Sequence, residues 1–331
     1  MPGSNVVLRL LVAPLALGVV LAPLVAGQAQ AQAYPQRPVR VLIGFAPGGT
    51  PDIVMRVIAP KLGEMLGQPI IVENRAGAGG VIAMEMGALA PPDGYTLSQG
   101  TLGSMLLSKA LFPKAAFDPQ TSFEPIGIYS KTTFIVVSHP DLAPRNLKEF
   151  LALAKSQPGK LNYGSSTPGS PPHILNEMFK AQAGVDIVGV TFKGSADAAT
   201  AFVAGHVQVM VDAYPTIGPL VSANKAIPLV VTSSERRKDM PDVPTAREAG
   251  LPDYEIASWI GLVAPAGTPT QVIRRINADI VKTMVDKEVI AGVLKIGLEP
   301  TSNTPEQFRA QIKADWPKFS AVVKASGADS K

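Results

Sequence analysis

At three points the chain runs out of an apolar, strand-like stretch through glycine, a hydroxyl residue and proline: Gly49-Thr50-Pro51, Gly169-Ser170-Pro171 and Gly267-Thr268-Pro269. Each tripeptide specifies the start of a helix. Thr or Ser at the cap accepts an N–H of the first turn, and Pro in that turn lacks only an N–H that would be unpaired anyway. Strands that end in helix starts commit the chain to alternating β and α structure. The first two junctions are also wrapped in glycine and small polar residues, Phe45-Ala-Pro-Gly-Gly-Thr-Pro-Asp52 and Tyr163-Gly-Ser-Ser-Thr-Pro-Gly-Ser-Pro-Pro-His173. Backbone N–H groups there can approach a ligand closely, and such helix ends attract anions. Two of them facing each other across a cleft would clamp a carboxylate. Gly267-Thr268-Pro269 lacks the polar surroundings and reads as a plain cap.

Arg9 precedes the apolar stretch Leu10 to Ala26, which leads into Ala31-Gln32-Ala33, a small-x-small cleavage pattern. Residues 1–33 therefore read as a secretory signal peptide cleaved after Ala33, with a periplasmic mature chain. A retained membrane anchor is the rival reading; Pro14, Pro23 and the Gln/Ala-rich exit favour cleavage. The chain has no cysteine, so neither lipid attachment at an N-terminal Cys nor a disulfide framework is open to it. Its formal charge is only +4 and its basic residues are scattered, with Glu235 to Asp239 the densest cluster and no interleaved aromatic stripe. That argues against nucleic acid.

Periodicity predicts strand Val39 to Phe45, helix Thr50 to Leu66 with Ile53, Val54, Val57, Ile58, Leu62 and Met65 inward, strand Ile70 to Glu73, a glycine-rich turn and helix over Gly77 to Gly87, and strand Tyr95 to Ser98. Strand-like runs Pro125 to Tyr129 and Thr133 to Val137 follow, and His139 to Pro144 breaks the pattern, where a crossing between domains is expected. A second alternating unit runs through helix Leu147 to Lys155, strand Leu161 to Gly164, helix Pro171 to Ala183, strand Ile187 to Thr191, helix Ala196 to Ala204 and strand Val207 to Val211. The stretch Ala257 to Pro265 carries the chain back, and helices from Pro269 and Pro305 complete the first domain. The expected division is 34–130 and 257–331 in domain 1 and 131–256 in domain 2, with a ligand cleft between. Trp259, in the return crossing, is expected to report on closure, and Trp316 to lie wholly within domain 1.

Catalytic motifs fail on inspection. After Gly164-Ser165-Ser166 the nucleophile elbow needs glycine where Pro168 stands. His139, His173 and His206 are the only histidines, widely separated, so no metal-ligand spacing exists. Gly77-Ala-Gly-Gly-Val-Ile82 misses the third glycine of a dinucleotide fingerprint, and no phosphate loop is present; neither a cofactor nor a metal is expected. His173, in the first turn of its helix, donates to a bound carboxylate or caps its own turn. Lys193, before Gly194, is a point charge aimed at the cleft or a surface lysine. Asp212 ends an apolar strand, where polar residues of open α/β sheets meet ligands.

The phrases Phe45 to Asp52 with Arg56, Val72-Glu-Asn-Arg-Ala-Gly-Ala-Gly-Gly80, Asp93-Gly-Tyr-Thr-Leu97, Tyr163-Gly-Ser, Phe192-Lys-Gly194 and Gly261-Leu-Val-Ala-Pro-Ala-Gly-Thr-Pro269 occur in order along the whole expected mature chain. Together they resemble the Bug-type solute receptors of tripartite tricarboxylate transporters. The resemblance implies an α/β, two-lobe periplasmic-binding-protein fold of type II-like form, with two chain crossings and no catalytic residue. Its ligand is a small organic acid or amino-acid-like solute, and its partners are the transporter's membrane subunits, the receptor itself being a monomer. Mapped onto this chain, the binding loops are Phe45, Pro47, Gly48, Gly49 and Thr50 in the first lobe and Ser165, Ser166, Thr167, Gly169 and Ser170 in the second, with His173, Lys193, Gly194 and Asp212 as further contacts. Phe192 stands where the family often has an aromatic hydroxyl, and Pro168, Pro171 and Pro172 stiffen the second loop. A sensory receptor, or an enzyme using Ser165 or Ser166 with His173, are the alternatives.

Overall fold

Strands and helices alternate along the chain as β1 (Val39–Ile43), α1 (Thr50–Leu66), β2 (Ile70–Asn74), α2 (Val81–Ala88), β3 (Thr96–Thr101), α3 (Ser108–Leu111), β4 (Phe123–Thr132) and β5 (Phe134–Ser138). They continue as α4 (Leu147–Ser156), β6 (Asn162–Ser165), α5 (Pro171–Ala183), β7 (Val188–Thr191), α6 (Ser195–Val203), β8 (Val209–Ala213), α7 (Tyr214–Ser222) and β9 (Ile227–Val231). The last elements are β10 (Ser258–Pro265), α8 (Thr270–Thr283), α9 (Lys287–Lys295), β11 (Glu299–Pro300) and α10 (Pro305–Ala325). This computed structural model describes Gly3 and residues 34–325 other than Gly169 and Ala257. The expected signal peptide and the cap glycine Gly169 lie outside the described residues. Among those described, no helix is long and apolar enough to cross a membrane.

The strands form two sheets, ordered β11-β4-β10-β3-β1-β2 and β7-β6-β8-β5-β9. In the first, β1 pairs in parallel with β2 and β3, while β10 runs antiparallel between β3 and β4. The second repeats the plan: β6 is parallel to β7 and β8, and β5 runs antiparallel between β8 and β9. Each sheet is thus a parallel βαβ unit extended by an antiparallel strand, β10 returning from late in the chain in the first sheet and β5 entering ahead of the unit in the second. The chain passes from one sheet to the other at Thr133 and returns between β9 and β10. The proline-rich His139 to Pro144 segment is not a crossing, because β5 before it already belongs to the second sheet. One buried extended run simply bends between β4 and β5, and no turn chemistry marks the bend.

Three apolar clusters hold the layers. Val41, Ile58, Leu62, Ile276 and Ile280 join the first sheet to α1 and α8, and Ile135, Phe202, Met210 and Ile217 join the second to α6 and α7. The third cluster is shared by both sheets, running from Met84, Leu106 and Phe308 to Phe150, Phe179 and Tyr254. The lobes therefore meet through apolar packing as well as through their crossing strands. At one seam a Cβ added to Gly103, in the π-helical turn Leu102–Leu107, would fall 2.2 Å from Pro171 Cγ. At another, Tyr214 lies so close to Gly297 that a Cβ there would sit 1.8 Å from the ring, while Arg237 stacks on that ring at 3.6 Å.

The helix α10 reaches further than its place in the sequence suggests. Trp316 packs against the shared cluster, and Lys318 Nζ donates to the Glu255 carbonyl at 3.4 Å, so this helix touches residues on both sides rather than one lobe alone. Trp259 is tied to it as well: its Nε1 donates to Asp315 Oδ2 at 2.9 Å, and its ring stands edge-on to Phe308 at 5.0 Å.

Candidate ligand cleft

Parallel strands of both sheets end at one place. Residues at or just beyond the carboxyl ends of β1, β2, β3, β6, β7 and β8 line a cleft of about 340 Å³, together with Thr132, Phe134, Ser258 and Ile260 of the crossing strands. Loops at the carboxyl ends of parallel strands are where open α/β sheets hold ligands, and the volume suits a small molecule. Trp259 lies between two lining residues on β10, so strand alternation turns it away from the cleft.

On the first wall, Gly44 to Pro51 wrap the start of α1. The cap is Gly49, whose carbonyl accepts from Ile53 N at 3.0 Å; Thr50 is the first helical residue and caps nothing with its side chain. Asp52 replaces the hydroxyl by reaching back: its Oδ2 accepts from Gly48 N at 2.9 Å, and its carboxylate also accepts from Arg56 Nε at 3.0 Å and Asn74 Nδ2 at 2.9 Å. Burial alone would raise the pKa of this carboxyl. The hydrogen bonds from Arg56, Gly48 and Asn74 outweigh burial and hold it below the usual carboxylate range. Asp52 is architectural, as its spacing to Arg56 suggests. The left-handed residue of the loop is Gly48, with φ +80°, whereas Gly49 has φ −75°. Gly49 N also donates to Ala46 O, which leaves the amides of Thr50 and Asp52 without hydrogen bonds among the described residues.

On the second wall the two helix starts differ. Pro171 and Pro172 occupy the first two positions of α5, and the third amide, of His173, is capped by Ser170 Oγ at 3.4 Å. The expected donation of first-turn amides from this helix is therefore absent: two prolines have no N–H and the cap takes the third. The start of α6 is open. Gly194 caps it without a side chain, its carbonyl accepting from Ala198 N at 3.1 Å, and Lys193, Gly194, Ser195, Ala196 and Asp197 all line the cleft. Thus the helix start of this lobe whose first-turn amides are neither proline nor side-chain capped lies after β7 rather than after β6.

Asp212 ends β8 on the cleft floor. Its carboxyl is buried; Oδ1 accepts from Ala213 N at 2.7 Å, the Ser195 and Thr216 hydroxyls lie beside the carboxyl, and no hydrogen bond reaches Oδ2. Burial pushes its pKa up to about 6, against the lowering influence of Ser195, the Ala213 amide and Thr216.

Of the residues expected to bind, Phe45, Pro47, Gly48, Gly49, Thr50, Ser166, Thr167, Ser170, Lys193, Gly194 and Asp212 line this cleft. Ser165 lies buried behind it, donating to the Ser166 carbonyl at 3.2 Å, and His173 is not part of the lining. Ser166 Oγ donates to Ser170 Oγ at 2.7 Å. Sequence reasoning missed Ser195, Ala196 and Asp197, although Lys-Gly before a helix signalled them. It also missed Ala76, Gly77 and Gly79, part of a glycine-rich turn tested there only as a nucleotide motif, and Thr101, Thr132, Phe134, Ser258 and Ile260, which carry no local signal.

The sequence profile of the family described as "Tripartite tricarboxylate transporter family receptor" matches residues 54–328. Protein BugT of Bordetella pertussis is 31% identical over 308 residues, covering 93% of this chain and 94% of its own. Among solved structures, MatC from Rhodopseudomonas palustris with bound malate superposes with a TM-score of 0.82 at 33% identity, over 88% of this chain and 100% of that one. A second R. palustris protein, with adipate, gives a TM-score of 0.83 at 32% identity, over 89% and 98%.

Proposed function

Because this chain belongs to the tripartite tricarboxylate transporter receptor family, a family of periplasmic solute-binding proteins, we propose that it captures a small carboxylate between two lobes and delivers it to the membrane subunits of such a transporter. The observation that carries this reading is the convergence of two helix starts without a side-chain cap, those of α1 and α6, on one cleft. Unpaired first-turn amides and the helix dipole together favour a carboxylate there. Relatives with the same fold bind malate and adipate, both dicarboxylates. The contacts are Phe45 to Thr50 on one wall and Ser166, Thr167, Ser170, Lys193, Gly194 and Asp212 on the other. The lobes comprise residues 34–130 with 257–331, and 131–256; the receptor acts as a monomer after removal of residues 1–33.

A thermal-shift screen over mono-, di- and tricarboxylates and amino acids tests the reading. A ligand at a hundred times its Kd adds about 2.7 kcal/mol of stability, several degrees in the melting temperature. A screen in which uncharged sugars or amines raise the melting temperature and no carboxylate does would overturn it.

A further inference from the structure

Resting on that reading, we propose that Asp212 selects the ligand: the cleft favours a carboxylate that carries a hydrogen-bond donor, hydroxyl or ammonium, on the carbon beside the carboxylate held by α6. Several buried side-chain atoms of the described residues lack a hydrogen bond, and two of them, Asp212 Oδ2 and Thr132 Oγ1, belong to the cleft lining. Asp212 is 2% exposed and Thr132 6%. A carboxylate offers about four acceptor positions; here the Ala213 amide occupies one with good geometry, and Oδ2 stays open. Were Asp212 only a strut for the start of α7, both oxygens would be expected to be satisfied by protein donors, as those of Asp52 are by the Gly48 amide and the Arg56 and Asn74 side chains.

The distance scale follows from Ser195. It is the first residue of α6, and its hydroxyl lies beside the Asp212 carboxyl. A ligand carboxylate on the α6 amides therefore sits about one side-chain length from Oδ2, the span to a substituent on the adjacent carbon. Lys193 and Asp197 are the other charged residues of the lining, both on the α6 side and both exposed. Lys193 compensates for a second negative charge in the cleft. Asp212, by contrast, repels a bare carboxylate and attracts a donor, so it discriminates at the carbon beside the carboxylate held by α6.

Calorimetry with matched acids decides the matter: succinate, malate and aspartate, then glutarate, 2-hydroxyglutarate and glutamate, at a pH where Asp212 is ionised. If the screen selects another acid, that acid is paired with its analogue lacking the donor. A donor substituent should tighten binding to the wild-type protein by about 10- to 100-fold, the worth of one hydrogen bond to a charged group. Asp212→Asn should reduce that ratio by about tenfold or more, since its amide presents N–H where the carboxylate accepts. The malate and aspartate arms tell hydroxyl from ammonium. Equal wild-type affinity for substituted and unsubstituted acids, a measurement that needs no variant, would overturn the proposal, as would an unchanged ratio in Asp212→Asn. Failure of every carboxylate to bind would instead remove the reading on which it rests.

Discussion

Asp52 and Asp212 are both buried carboxyls at the cleft, and their neighbours push them in opposite directions. Asp52 receives hydrogen bonds from Arg56, Gly48 and Asn74, so its charged form is favoured; at Asp212 burial outweighs the Ser195, Ala213 and Thr216 donors. The sign of the Asp212 effect is unusual for a carboxylate. Its folded pKa of about 6 lies above that of an unfolded Asp, so the native state holds the proton more tightly. Its contribution to stability is greatest below about pH 4 and is lost as pH rises through about 6. Ligand-free protein carrying Asp212→Asn should therefore be more stable than wild type at pH 8, by about 1–3 kcal/mol, with the advantage vanishing towards pH 4. Denaturant titrations at the two pH values check this; an equal difference at both would mean that Asp212 is not desolvated in the native protein.

At the scale of elements, the three glycine-hydroxyl-proline junctions share a sequence and not a geometry. Ser170 caps α5 through its hydroxyl, Thr50 is already helical in α1, and Thr268 Oγ1 turns back to the Pro265 carbonyl at 2.8 Å while α8 begins at Thr270. What matters for binding is which first turn keeps its amides. The α5 start has two prolines and a cap, and α6 has neither, so α6 should be the anion donor of its lobe. Ser195→Pro tests this directly, because proline at the first helical position removes one N–H without breaking the helix. Ser195→Ala, which removes only the hydroxyl, is its control. The proline variant should bind the ligand found by the screen about tenfold more weakly than the alanine variant, with an unchanged melting temperature. Equal affinity of the two would relocate the carboxylate to α1.

For the whole molecule, the shared apolar cluster sets how the lobes can move. Ligand contacts on both walls favour a closed arrangement, but the layer joining Met84, Leu106 and Phe308 to Phe179 and Tyr254 must stay packed through any closure. Gly103 marks the seam nearest the cleft, and Gly103→Val would drive a side chain into the Pro171 ring. That variant should hold the lobes apart, increasing the small-angle-scattering radius in saturating ligand and weakening binding by about tenfold or more. An unchanged radius and affinity would show that Pro171 yields at no cost. Tryptophan emission is a poorer gauge than the sequence suggests, since Trp259 bonds to Asp315 on α10 and Trp316 lies on that same helix.

Much of the architecture was legible from local pattern. The bounds of α1 and α5 coincide with the expected Thr50 to Leu66 and Pro171 to Ala183, and the strands leading into the cleft lie where apolar runs meet glycine. Local sequence determines these features because strand runs, helix periodicity and first-turn proline are each encoded within a few residues. The bend at Thr133, the antiparallel seat of β10 between β3 and β4, and the reach of α10 across the shared core were decided by tertiary packing. No short-range signal says which distant strand a buried apolar run will pair with. The same limit applies to the site: its glycine-rich loops are written in the sequence, while Thr132, Phe134, Ser258 and Ile260 reach the cleft only because the crossing strands place them there. Whether a helix start is open to a ligand was likewise settled in three dimensions, where each hydroxyl and amide finds or fails to find its partner.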